Sequence, residues 1–203
     1  DSMQGPVAAN YLISQKPERV AVVHDKQQYG EGIATAVRDT LEEAGVEVAM
    51  FEGITAGAKD FSSLVTKLRQ ADVDYVYYGG YHPELGLILR QAQQDAVFMG
   101  PEGVGNKDIN TIAGEAAEGL LVTLPPSFDE KDENQELVQA FEEKGEDPSG
   151  PFVLTSYTAV QLIADGIEAA ESTDPFDVAE ALRAGTFQTP IGTVEYDNKG
   201  DME

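Results

Sequence analysis

Across the first two thirds of the chain, short runs of apolar and β-branched residues alternate with amphipathic stretches, and little but turn residues lies between them. That order leaves few folds open, because it is the pattern of a parallel sheet covered by helices on both faces. Arg19-Val-Ala-Val-Val-His24 is a strand with a fully apolar centre, residues 46–51 form the next, and Asp74-Tyr-Val-Tyr-Tyr-Gly-Gly80 is a third that runs out through two glycines. Val97-Phe98-Met99 and residues 119–123 complete the set. A helix over 5–14 precedes them. A second, over 29–44, carries Ile33, Ala36, Val37 and Leu41 and is closed by Gly45 as a C-cap. Asp60 caps a helix containing Phe61, Leu64, Val65 and Leu68. Pro83 and Glu84 open another whose apolar face is Leu85, Leu87, Ile88 and Leu89. The expected fold class is α/β: three layers around a doubly wound, mostly parallel sheet.

After Pro125-Pro126 the texture changes to helix upon helix, over 133–144, 152–170 and 175–184, followed by a lone strand near 193–196. This switch predicts two domains, a Rossmann-like ligand-binding lobe over 1–124 and a helical segment with a return strand over 125–203. The loop-like opening of the chain and its turn-like end at 198–203 read as the borders of a fragment.

Composition excludes several functions. The net charge of −24, from 37 acidic against 13 basic residues, argues against a nucleic-acid partner, since a phosphate backbone is held by clustered Lys and Arg. The acids are spread over helix faces, as a solvated surface or an adaptation to a saline habitat would have them. With no cysteine there is no disulfide, no thiol catalysis and no cysteine metal site. His24 and His82 are the only histidines and lie in no metal-binding spacing, so no metal is expected. Neither a G-x-S-x-G elbow nor a G-x-G-x-x-G or P-loop motif occurs, so no catalytic residue and no cofactor is expected, and the chain does not read as an enzyme.

The ends of three strands offer candidate chemistry, because in a doubly wound sheet they share one edge. They are residues 24–30, 79–82 and 100–105, each containing glycine, which lets backbone approach a ligand closely. Tyr81 stands at the mouth of that edge. Tyr29 either packs on its own helix start or touches a ligand. Glu102, flanked by Gly100-Pro101 and Gly103, is either a solvated loop acid or the partner of a ligand ammonium in a partly dry cleft.

Several segments taken together, Ala21-Val-Val-His-Asp-Lys-Gln-Gln-Tyr-Gly-Glu-Gly32, Gly53-Ile-Thr-Ala-Gly57 with Lys59-Asp-Phe61, Tyr77-Tyr-Gly-Gly-Tyr-His-Pro-Glu84, Phe98-Met-Gly-Pro-Glu-Gly-Val104 and Ala117-Glu-Gly-Leu-Leu-Val-Thr123, resemble the branched-chain amino-acid binding proteins of bacterial ABC importers. The resemblance runs nearly end to end. It implies a type I periplasmic binding protein, a two-lobed hinged receptor that closes on a free branched-chain amino acid and presents it to a membrane permease. By the same resemblance, Glu102 matches the acid that holds the ligand α-ammonium and Tyr81 an aromatic residue near that group. Tyr29 and Phe152 match residues that wall the pocket around the aliphatic side chain. A location in the periplasm follows from it.

The departures are informative as well. In the family a whole first lobe, with the serine and threonine loops that grip the ligand carboxylate, precedes the segment matching Asp1, and a final strand follows the one matching Glu203. The helices after Pro125 pack in the family on that first lobe. The missing lobe, or a second copy of the chain, is therefore an expected partner, and these 203 residues alone are expected to bind leucine weakly or not at all. The connection Ala92-Gln-Gln-Asp-Ala96 is shorter than the family's and lacks its glycine, which draws attention to the end of that helix. An alternative within the resemblance is an amino-acid-sensing domain of a signalling or regulatory protein, although the chain carries neither a helix-turn-helix nor a membrane anchor.

Overall fold

In the computed structural model, which describes residues 3–93 and 96–202, the chain divides into two units, Asp1–Leu124 and Pro125–Glu203. The first unit alternates as the sequence pattern requires: α1 (Gln4–Ser14), β1 (Arg19–His24), α2 (Gln28–Glu43), β2 (Glu47–Gly53), α3 (Ser62–Ala71), β3 (Tyr75–Gly79), α4 (His82–Ala92), β4 (Val97–Gly100), α5 (Asp108–Ala113) and β5 (Leu121–Val122), with 3-10 turns at Glu102–Val104 and Gly114–Ala117. All five strands run parallel, in the spatial order β2-β1-β3-β4-β5. The expected α/β class with a mostly parallel, doubly wound sheet is borne out.

Pleating sorts each strand's side chains into two cores, since successive residues point to opposite faces. Val20, Val22, Tyr77 and Met99 face Leu12 of α1 and Ile33, Val37 and Leu41 of α2. Ala21, Val23, Val76, Tyr78 and Phe98 face the opposite way, onto Leu64 and Leu68 of α3 and Leu85 and Ile88 of α4. A strand covered on both sides has no polar face to show, which is why β1 reads as an unbroken apolar run. Each Val, Leu or Ile so buried contributes about 1.5–3 kcal/mol.

Helix ends follow their local chemistry. Gly45, at a φ of +79°, donates its N–H to Glu42 O at 3.0 Å while Val46 N–H reaches Leu41 O at 3.0 Å, the paired bonds of a Schellman C-cap. Asp60 Oδ1 accepts from Ser62 N–H at 2.9 Å, so the acid stands just ahead of α3, and hydrogen bonding from the Ser62 side chain, with that N–H adding to it, holds its carboxyl below the usual range. The helix itself starts at Ser62 rather than including Phe61. α4 runs to Ala92, and Gln93 takes the left-handed φ of 40° at which glycine is commonly found. Of the short connection noted in the sequence, Gln94 and Asp95 lie outside the described residues.

The second unit holds a 3-10 turn at Asp132–Asn134, α6 (Gln135–Glu142), α7 (Val153–Ala170), α8 (Pro175–Ala184), β6 (Phe187–Thr189) and β7 (Gly192–Val194). The lone strand expected near 193–196 is a correction: it ends at Val194 and is half of an antiparallel hairpin with β6. Tyr196 bridges Met202 instead. β6 escapes a sequence reading because it is three residues long and flanked by Gly185 and Pro190, both of which read as loop. Buried Asn134 ties this unit together, donating through Nδ2 to Phe128 O at 2.7 Å and to Pro190 O at 2.8 Å.

Candidate functional site

The strand order reverses its direction of winding between β1 and β3, and in such sheets a crevice opens beyond the carboxyl ends of the two strands on either side of the switch. Three connections meet there. Chain leaving β1 passes through Asp25, whose N–H donates to Gly79 O at 3.0 Å and whose Oδ1 accepts from Gln27 N–H at 2.9 Å. Those bonds start α2 and put Tyr29 in its first turn. Chain leaving β3 passes through Gly80 to Tyr81, which precedes α4 and is 47% exposed. Chain leaving β4 passes through Pro101 into the turn that carries Glu102.

The Tyr29 and Tyr81 rings lie with centroids 5.3 Å apart and planes tilted by 31°, within the range in which aromatic pairs attract. Tyr29 Oη accepts from Gly103 N–H at 3.3 Å, which brings the Glu102 turn against the same pair. Gly103 sits where no side chain fits: a Cβ there would be 2.8 Å from Gly80 O, 3.1 Å from the Tyr81 ring and 3.2 Å from the Tyr29 ring. Beside the rings is an open hollow of about 660 Å³, lined by Gln27, Gln28, Tyr29, Gly32, Ile33 and Tyr81. Tyr29, Tyr81 and Glu102 therefore converge on one edge of the sheet. Phe152 belongs to the second unit, where it immediately precedes α7 and is 49% exposed rather than buried in a helix core.

The electrostatics of this edge disfavour added negative charge. Burial pushes the Tyr29 phenol up to about 12, and the neighbouring Glu102, Tyr81 and Asp25 add to the shift while the Gly103 N–H opposes it. The native state thus holds the Tyr29 proton more tightly than an unfolded chain, whose phenol ionises near 10.0. Its contribution to stability is complete below pH 10 and is lost as pH climbs from about 10 through about 12. A difference ultraviolet titration of wild type against Tyr29→Phe is expected to isolate one phenol ionising close to pH 12; a missing phenol that titrates at its ordinary value would contradict this placement.

His24 is buried with its ring against Phe51 at 5.0 Å, and its Nδ1 accepts from Lys26 N–H at 3.2 Å. That is a structural role. Among the described residues no group of three or more histidines and acids is placed to hold a metal ion, and no helix is long and apolar enough to cross a membrane. Two participants are invisible to motif reading. Gly103 looks no different in sequence from Gly100 or Gly105, and Gln4 reaches Glu102 from 98 residues away.

Comparison with known proteins places these features in context. Residues 1–202 match the family described as "Periplasmic binding protein". Over its whole length the chain is 58% identical to the leucine-, isoleucine-, valine-, threonine-, and alanine-binding protein of Pseudomonas aeruginosa and 51% identical to the Leu/Ile/Val-binding protein of Escherichia coli, covering 56% of each. It spans about half the length of the curated relatives it matches. A solved leucine binding protein from Thermotoga maritima superposes with a TM-score of 0.90 at 27% identity, over all of this chain and 60% of that one.

Proposed function

Because this chain belongs to the periplasmic binding protein family, we propose that it supplies one lobe and the helical return segment of a receptor for a free branched-chain amino acid, which it delivers to the membrane permease of an ABC importer. The observation that carries this reading is the convergence of one carboxylate loop and two aromatic rings at the crevice of the sheet. Glu102 takes the α-ammonium; such a charge-assisted hydrogen bond is worth about 1.5–3 kcal/mol. Tyr81 stands beside that ammonium and Tyr29 walls the aliphatic side chain, whose full burial adds about 1.5–3 kcal/mol for one of leucine size. The names of the P. aeruginosa and E. coli relatives, both of which include leucine, isoleucine and valine, point the same way.

On this reading the protein is a binding component rather than an enzyme, and it works outside the cytoplasmic membrane, in the periplasm. α7 exposes Tyr157, Val160 and Ile163 at helical spacing, and a contiguous apolar stripe of this kind seeks a partner. We assign that cover to the receptor's other lobe. No observation favours the alternative of a regulatory sensing domain. A thermal-shift screen of the full-length protein against free amino acids tests the proposal. Leucine, isoleucine and valine are expected to raise the melting temperature, a ligand at a hundred times its Kd stabilising by about 2.7 kcal/mol. No shift with any of the three, or a larger one with glutamate, would contradict it.

A further inference from the structure

We propose that Gln4 is a positioning residue for Glu102, and hence for recognition of the ligand ammonium; the inference rests on the function proposed above. The turn at Glu102–Val104 is a single 3-10 turn, closed by Val104 N–H to Pro101 O at 3.0 Å and Gly105 N–H to Glu102 O at 2.8 Å. One turn satisfies only its last donors. The N–H groups of Glu102 and Gly103 are left without partners inside it, the general condition of a helical N-terminus. Each is taken by a side chain from a different helix. Tyr29 Oη of α2 accepts from Gly103, and Gln4 Oε1 of α1 accepts from Glu102 at 2.9 Å.

The same Gln4 oxygen accepts from Thr123 Oγ1 at 3.3 Å, while Thr123 N–H donates to Gly100 O at 3.1 Å. One amide oxygen thus joins the first turn of α1, the chain after β5 and the backbone of the residue that bears the carboxylate. The Gln4 and Tyr29 anchors hold adjacent peptides, so together they fix the direction in which Glu102 leaves the backbone. Without Gln4 the turn keeps its internal bonds and its Tyr29 anchor but is free to rock about the latter. The ligand ammonium then has to pay for ordering the carboxylate that Gln4 orders in advance.

The test uses the full-length protein with Gln4→Met, which keeps an unbranched side chain of similar length but removes the acceptor, and Gln4→Glu, which keeps an acceptor oxygen. Gln4→Met is expected to speed hydrogen exchange at the Glu102 amide while leaving the β1 and β3 amides unchanged, and Gln4→Glu to restore protection. By calorimetry, Gln4→Met is expected to weaken leucine binding by about tenfold in the wild-type background and by less than about twofold in a Glu102→Gln background, because two residues acting through one contact are not additive. Unchanged exchange at Glu102, or equal losses of affinity in both backgrounds, overturns the inference alone. Failure of the wild-type protein to bind leucine overturns the proposed function, and the role of Gln4 in binding with it.

Discussion

Replacing Glu102 with glutamine is expected to weaken leucine binding by the full-length protein about 10- to 150-fold. The figure follows from the charge: a hydrogen bond to a charged group contributes roughly 1.5–3 kcal/mol, and each 1.4 kcal/mol is a factor of ten in affinity. Glutamine preserves the size of the side chain and one acceptor oxygen, so the loss reports the carboxylate's charge rather than its volume. The backbone of the turn is held by Gln4 and Tyr29 through main-chain N–H groups, which the substitution leaves in place. The melting temperature of the ligand-free variant should accordingly stay close to wild type, a surface change of this kind falling within about 0.5 kcal/mol. Calorimetry with leucine on both proteins makes the measurement. An affinity within about twofold of wild type would remove Glu102 from ammonium recognition.

The second large effect concerns the frame that holds this edge. A methyl group on Gly79 would run into the carbonyl oxygen of Gly30 and stand 3.0 Å from Ala34 Cβ, while one on Gly30 would stand 2.6 Å from Gly79 O. β3 and the start of α2 therefore touch backbone to backbone, and neither can yield without separating helix from sheet. Gly79→Ala is expected to cost about 3 kcal/mol, the upper end of the usual overpacking range, because no flexible side chain is available to move aside. Gly32 provides the contrast from the same helix, since nothing lies within 4 Å of a Cβ there. Gly32→Ala should stabilise by up to about 1 kcal/mol, the helix-propensity difference between the two residues. Urea denaturation of both variants would show shifts of opposite sign. A Gly79→Ala protein as stable as wild type would mean that α2 does not lie so close to β3.

The ease with which different parts can be read from sequence has a physical basis. Val20 and Val22 against Ala21 and Val23 display the period of two that a covered strand imposes, and Gly45 or the Asp60-Phe-Ser turn mark helix ends by local chemistry, so the layers of the first unit are legible residue by residue. Strand order is another matter, because it depends on which face each crossover takes, and the β2-β1-β3-β4-β5 arrangement leaves no local trace. Hairpin β6–β7 is too short for periodicity to register. At the site, the glycine-containing segments at the strand ends, 24–30, 79–82 and 100–105, announce where Tyr29, Tyr81 and Glu102 stand along the chain. What brings the last two connections onto Tyr29 is the missing Cβ of Gly103, and what steadies the acid is a side chain 98 positions earlier. Such long-range steric and hydrogen-bond conditions are properties of the folded arrangement, and no spacing rule encodes them.

A crystal structure of the full-length protein with leucine addresses the central claim most directly. The leucine nitrogen is predicted to lie about 2.7–2.9 Å from a Glu102 carboxylate oxygen, as a charge-assisted pair does, with Tyr81 beside it and the aliphatic side chain against the Tyr29 ring. Leucine bound away from this edge of the sheet, or with its nitrogen out of hydrogen-bond reach of Glu102, would contradict the account.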